Sequence, residues 1–227
     1  MEKRDAWLLD LDVMPYEEAL TLQENLVAKR SQGEIRDTLI LLEHPPVVTI
    51  TRKKTARDIL APLEKLRNEG IAIYKTNRGG DITYHGPGQL VGYPILDLKN
   101  HGKDLHRYVH TIEETLINLL RDYDVEGHRE SGYPGIWVND EKIAAIGIAV
   151  KKGWVSMHGF SLNVDPRLDH FSLIIPSGIK DKGVTSLRKV LGKTVDKQQV
   201  RQRLVQHFSD MFHLNMHRIT LKDLLGQ

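Results

Sequence analysis

Eight consecutive residues, Ile143-Ala-Ala-Ile-Gly-Ile-Ala-Val150, carry neither charge nor hydroxyl, so both faces of an extended chain through them are apolar. A strand of this kind asks to be covered on both sides, and that demand restricts the folds open to the chain. The polar run Asn139-Asp140-Glu141 before it reads as a turn, and Lys142 stands where the strand begins. A lysine at the mouth of a buried strand can have its ammonium desolvated, which lowers its pKa and makes it a usable base. The same spacing also suits a hairpin lysine pointing into water. Gly147, inside the strand, leaves room for a ligand against the backbone.

Around this strand the pattern alternates between strands and helices. Residues 6 to 12 read as a strand, and Pro15 opens an amphipathic helix backed by Ala19, Leu20, Leu26 and Val27. Leu39 to Leu42 and Val47 to Thr51 read as strands paired around His44-Pro45-Pro46, and Leu60 to Asn68 as a helix stopped by Gly70. Ile71 to Lys75, Asp81 to His85 and Leu90 to Leu98 follow as strands. Leu105, Val109, Ile112, Leu116 and Leu119 mark the longest helix by their 3.6-residue period, residues 135 to 164 form a hairpin-rich section, and Val200 to Phe212 form a C-terminal helix. Antiparallel hairpins with segregated helices predict an α+β fold with a mixed, mostly antiparallel sheet, and the absence of any linker or repeat predicts one domain over residues 1–227. With 40% hydrophobic and 27% charged residues, the chain can build a full core. The charged start Met1-Glu-Lys-Arg-Asp5 and the lack of any roughly 20-residue apolar run lead us to expect a cytoplasmic protein without a membrane span.

The stretch Arg78-Gly-Gly-Asp-Ile-Thr-Tyr-His85, running into Gly86-Pro87-Gly88-Gln89, is the densest candidate site. Gly79 and Gly80 let a ligand approach the main chain, and Arg78 offers a fork of donors beside them. In an extended segment Asp81, Thr83 and His85 share one face, toward a ligand, while Ile82 and Tyr84 share the other, toward a core. A glycine-rich hairpin is the plainer reading, although Gly86-Pro87-Gly88 already supplies a turn.

These residues resemble the signature of the lipoyl(octanoyl) transferases, which move an octanoyl group from acyl carrier protein to a lysine of lipoyl domains. The resemblance extends through Glu43-His44-Pro45-Pro46-Val47, Gly92-Tyr93-Pro94-Ile95, Lys142-Ile143-Ala144-Ala145-Ile146-Gly147, His158-Gly159-Phe160-Ser161-Leu162-Asn163-Val164, Pro176-Ser177-Gly178-Ile179 and Val184-Thr185-Ser186-Leu187. It implies the biotin/lipoate transferase-ligase fold and a substrate pocket formed by Arg78 to His85, Ala145 to Gly147 and His158 to Ser161. It further implies an acyl-enzyme at residue 177, with Lys142 activating the nucleophile. The acceptors it implies are the lipoyl domains of 2-oxoacid dehydrogenases and the glycine cleavage H protein.

One position departs from the pattern. Where the family carries its acyl-bearing cysteine, this chain has Ser177, and it contains no cysteine at all. A serine hydroxyl needs a well-placed base to attack a thioester. Three readings stand: a cysteine replaced to trap or silence the enzyme, a serine nucleophile, or an inactive relative that still binds acyl chains. An ATP-dependent lipoate or biotin ligase is a further alternative, since that fold hosts both. His85 and His158 could donate to an acyl carbonyl or orient the lysine. Ile82, Ile143, Ile146 and Leu162 offer apolar lining.

No metal or cofactor is expected. His106 and His110 are spaced i, i+4 but lack the acidic residue of a zincin motif, and read as helix-surface residues. The net charge is only +2, yet Arg52-Lys-Lys54, Lys151-Lys152, Lys180, Lys182, Arg188 and Lys189 could form a basic rim for acidic partner domains. No pattern supports nucleic-acid binding.

Overall fold

Two of the three long helices among the described residues begin on a side-chain cap. In chain order, the computed structural model, which describes residues 2–51, 59–151, 153–175 and 182–226, contains β1 (Arg4–Val13), α1 (Tyr16–Ser31), β2 (Thr38–Glu43), β3 (Val47–Thr51), α2 (Leu63–Asn68), β4 (Ala72–Thr76), β5 (Thr83–His85) and β6 (Gln89–Ile95). A 3₁₀ turn at Leu98–His101 leads to α3 (Leu105–Arg121), β7 (His128–Glu130), β8 (Tyr133–Val138), β9 (Glu141–Lys151) and β10 (Val155–Asn163). A second 3₁₀ turn at Leu168–Leu173 precedes β11 (Gly183–Val184), α4 (Leu187–Leu191), α5 (Lys197–Phe212), β12 (Leu214–Arg218) and α6 (Leu221–Leu225). The Asp104 carboxylate accepts the Arg107 amide and Asp196 accepts those of Gln198 and Gln199, so α3 and α5 both begin on an aspartate cap.

The main sheet runs β12-β1-β2-β6-β10-β9-β8-β7, with β11 paired to β9; β4-β3-β5 form a second, three-stranded sheet. Strand β2 shows how the layers are built. Leu39 and Leu41 point into a core formed with α3 and α5, while Ile40 and Leu42 point into one formed with α1, and all four are fully buried. A third cluster joins Val48, Ile50, Leu66, Ile82, Tyr84 and Phe171 behind the small sheet. The fold is α+β with a mixed sheet, as expected, and no helix among the described residues is long and apolar enough to cross a membrane.

Three sequence expectations need correction, and one strand was not anticipated. β2 and β3 are not paired: β2 lies between β1 and β6, whereas β3 pairs with β4 and β5. Pro45 and Pro46 lack amide donors, which suits the crossing from one sheet to the other. Pro15 is the N-cap of α1, not its first residue. β9 is fully buried only over Lys142, Ile143 and Ala144, and is half-buried from Ala145 onward, because there it forms the wall of a cleft. Finally, β12, parallel to β1, went unassigned from the sequence, although Leu214 and Met216 alternate with polar residues and pack on the α3 and α5 core.

Candidate active site

Where β5, β9 and β10 converge they form a cleft. Arg78, Gly80, Asp81, Ile82, Thr83 and His85 line one side, and Ala145, Ile146, Gly147, His158, Gly159, Phe160 and Ser161 the other. Tyr16, Tyr93 and Pro134 complete the wall. Two residues of the Arg78-to-His85 run lie apart from it. Gly79 donates its amide to Ile148 O at 2.8 Å and so ties the glycine loop to β9. Tyr84 turns into the third core, where its hydroxyl bonds His170 Nδ1 at 2.7 Å. Ile143 and Leu162 belong to the α3 and α5 core and do not line the cleft.

The Arg78 fork is spent on the fold. Nη2 donates to Thr49 O and Oγ1, and Nη1 to Gly79 O. Burial lowers its pKa, opposed by nearby Tyr16, Tyr93 and Asp81. Its Nε is buried without a partner. Gly147 serves this loop as well: a Cβ there would lie 2.8 Å from Gly79 O and 3.3 Å from Arg78 Cδ. Its missing side chain therefore makes room for residues 78 and 79, not directly for a ligand. Gly147→Val should push that loop off β9, weaken acyl binding at least tenfold and leave the fold intact, as checked by calorimetry and circular dichroism.

Both cleft histidines are neutral. Burial, reinforced by Arg78 among other cations, holds His85 and His158 near a pKa of about 3. His85 Nδ1–H donates to Gln89 Oε1 at 3.0 Å, and His158 Nε2–H to Asn77 Oδ1 at 3.2 Å. A neutral imidazole has one N–H, so neither ring keeps a donor for an acyl carbonyl, which removes that expected role. His158 also takes a left-handed backbone, φ +60°, with its amide on Gln23 Oε1, a strained geometry that is often found at functional sites. Beneath the cleft, His44 donates from Nδ1 to Met14 O and accepts the Tyr93 hydroxyl, and burial lowers its pKa to about 4. Sequence reasoning left Tyr16, His44 and Tyr93 out of the site; the His44-Pro45-Pro46 and Gly92-Tyr93 blocks were the available signals.

A second, smaller cleft adjoins the first, and Thr83, Ala145 and Ser161 line both. Lys142 lies here with Gln89, Asn163, Phe171 and Val184. Its side chain is buried, with Nζ 4.9 Å from the Trp137 ring centroid, and desolvation lowers its pKa to about 8. The hairpin lysine pointing into water is therefore ruled out. At pH 7.5 about a quarter of such amines are neutral, against about 0.1% for an ordinary lysine. Ser177 lies outside the described residues. The chain on either side of it reaches this cleft, through Phe171 before it and Val184 after it.

Of the expected basic rim, Arg52 to Lys54, Lys152 and Lys180 also lie outside the described residues. Lys182 is paired with Glu130 and Asp140, Arg188 with Asp165, and Lys189 with Glu141. That pairing much reduces the positive field the sequence suggested. His106 and His110 are exposed, as expected.

A buried, partly neutral amine beside a cleft on a mixed sheet is compatible with an acyl-transfer or acyl-ligation domain. The lipoyl protein ligase A/B catalytic domain family matches residues 15–209. An octanoyltransferase of Desulforamulus reducens is 50% identical over 203 residues, covering 89% of each chain. Among solved structures, lipoate-protein ligase A bound with ATP superposes with a TM-score of 0.76 at 23% identity, covering 97% of this chain and 90% of that one. A bipartite lipoate protein ligase from Thermoplasma acidophilum, solved in a study with its E2 lipoyl domain, gives 0.74 at 19% identity, covering 97% and 88%. The chain belongs to the octanoyltransferase family, and it is an acyltransferase by that membership.

Proposed function

We propose that residues 1–227 form one catalytic unit that transfers an octanoyl group from acyl carrier protein to a lysine of a lipoyl domain, through an acyl-enzyme at residue 177. The observation that carries this reading is Lys142, buried beside the cleft with its pKa lowered to about 8. The neutral Lys142 amine removes the Ser177 hydroxyl proton as Oγ attacks the octanoyl thioester carbon. The carbon–sulfur bond breaks, and Lys142 returns the proton to the departing thiol. In the second half the acceptor lysine's amine attacks the ester carbon, Lys142 takes a proton from that nitrogen and gives it to Ser177 Oγ, and an amide remains. The acceptors are the lipoyl domains of 2-oxoacid dehydrogenases and of the glycine cleavage H protein, and the setting is the cytoplasm. No cofactor or metal takes part in this scheme.

Octanoyl transfer from carrier protein to a lipoyl domain without ATP, followed by intact mass, tests this reading; a strict ATP requirement would make the chain a ligase. Ser177 favours a second reading, an acyl-binding relative that does not turn over. Both readings require the cleft to select chain length. Each buried CH₂ contributes about 0.8 kcal/mol, so hexanoate should bind more weakly than octanoate by about one to two kcal/mol in calorimetry. Equal affinity for acetate and octanoate would remove both readings.

A further inference from the structure

Four hydrogen bonds run without a break from the acyl cleft to the backbone of Lys142. His85 Nδ1–H donates to Gln89 Oε1 at 3.0 Å. Gln89 Nε2 donates to Asn163 Oδ1 at 3.0 Å, and also to Tyr84 O at 3.1 Å. Asn163 Nδ2 donates to Thr185 O at 2.9 Å. The Thr185 amide donates to Lys142 O at 3.0 Å. Gln89 is 1% exposed, Asn163 5% and Thr185 1%, so none of these groups has water as a ready substitute.

The polarity of the chain is determined throughout. Gln89 nitrogen faces two oxygens, so its oxygen must face His85, and that fixes the proton on His85 Nδ1. Burial keeps His85 neutral down to a pH of about 3, so this bond does not reverse in any working range. At the other end, β11 is two residues long and meets β9 only at Gly183 with Glu141 and Val184 with Lys142. So short a strand holds poorly by its own ladder, and the Asn163 bond to Thr185 is the side-chain anchor next to it. Val184 lines the cleft that holds Lys142. Loosening β11 therefore admits water to the lysine.

We propose that Gln89 and Asn163 are positioning residues, whose linked amides hold the Gly183–Thr185 segment against β9 and keep the Lys142 amine out of water. This rests on the reading of Lys142 as the base, and two of the three measurements below do not depend on activity. The charged groups on the elements around Lys142 include Lys182, which shares the Trp137 ring, with Glu130, Asp140, Glu141 and Lys189, and more distantly Arg129, Lys151 and Arg188.

The test uses Asn163→Leu in the full chain, which removes the donor to Thr185 without adding charge. Asn163→Ala, which also adds no charge, is the second variant should the leucine protein fail to fold. Amide exchange at Thr185, read by NMR, should quicken at least tenfold while Leu41 in β2 is unchanged. The Lys142 amine, titrated by NMR of labelled lysine, should move up by about one pH unit. In the transfer assay at pH 7.5 kcat should fall about tenfold, with KM for the octanoyl donor within twofold, and recover at higher pH. Unchanged Thr185 exchange and Lys142 titration in a folded variant would overturn the proposal. So would uniform quickening of all amides, or failure of both variants to fold, since either marks a merely structural role. If exchange and titration move as expected while the parent chain shows no octanoyl transfer, the proposed function fails and the positioning role stands.

Discussion

Lys142→Met should lower octanoyl transfer by about 10²–10⁴-fold, the usual contribution of a general base, and at the same time make the protein more stable at neutral pH. The two effects share one cause. Desolvation lowers the Lys142 pKa from 10.5 to about 8, a cost to the folded state borne wherever the amine is protonated. Below pH 8 the lysine carries a proton in both the folded and unfolded chain, and the full cost applies. Between about pH 8 and 10.5 only the unfolded chain keeps the proton, so stability rises with pH; above that range the cost is gone. The 2.5-unit depression corresponds to roughly 3 kcal/mol, and the Trp137 contact offsets part of what methionine would recover. Urea unfolding should therefore show Lys142→Met more stable by about 1–3 kcal/mol at pH 7, with the gain shrinking toward pH 10.5. The parent's kcat/KM should rise with pH through about 8, and the variant should lose that limb. A variant with the same pH profile as the parent would place the base elsewhere.

The second large effect belongs to residue 177. A thiol near neutral pH is a few per cent thiolate and strongly nucleophilic, whereas a serine hydroxyl depends wholly on its base. Ser177→Cys should raise octanoyl transfer roughly 10²-fold or more. Lys142 then acts on the thiol too, since a neighbouring ammonium stabilises the thiolate. Adding Lys142→Ala to that cysteine variant should slow iodoacetamide alkylation at pH 7 and shift its pH dependence upward. The direction separates the lysine's electrostatic role from mere packing, because loss of packing alone exposes the thiol and speeds alkylation.

The parts of this molecule that were legible in the sequence are those set by local pattern. The α3 stripe at Ile112, Leu116 and Leu119, the glycine loop at Arg78–Gly80 and the strand opening at Lys142 all appear where the residues placed them, although Leu105 at the start of α3 is exposed. The burial of Lys142 could be suspected but not decided, since a turn lysine and a cleft lysine share one spacing. Partners distant in sequence were not legible. Gln89 meets Asn163 across 74 residues, and Asn163 meets Thr185 across 22; no periodicity encodes such pairs. The His85 and His158 roles also depended on partners. Each ring's single proton is committed to a side-chain amide oxygen, and only the folded geometry shows it. Gly147 was read as ligand space because its neighbour across the cleft, Gly79 O, lies 68 residues away in the chain.

Peptide mass mapping after mixing octanoyl carrier protein with the Ser177→Cys chain, without ATP or acceptor, tests the account most directly. The account predicts one octanoyl group on the peptide containing residue 177, discharged when a lipoyl domain is added and absent when Lys142 is also replaced by Ala. An octanoyl group on any other residue, or none without ATP, would contradict it.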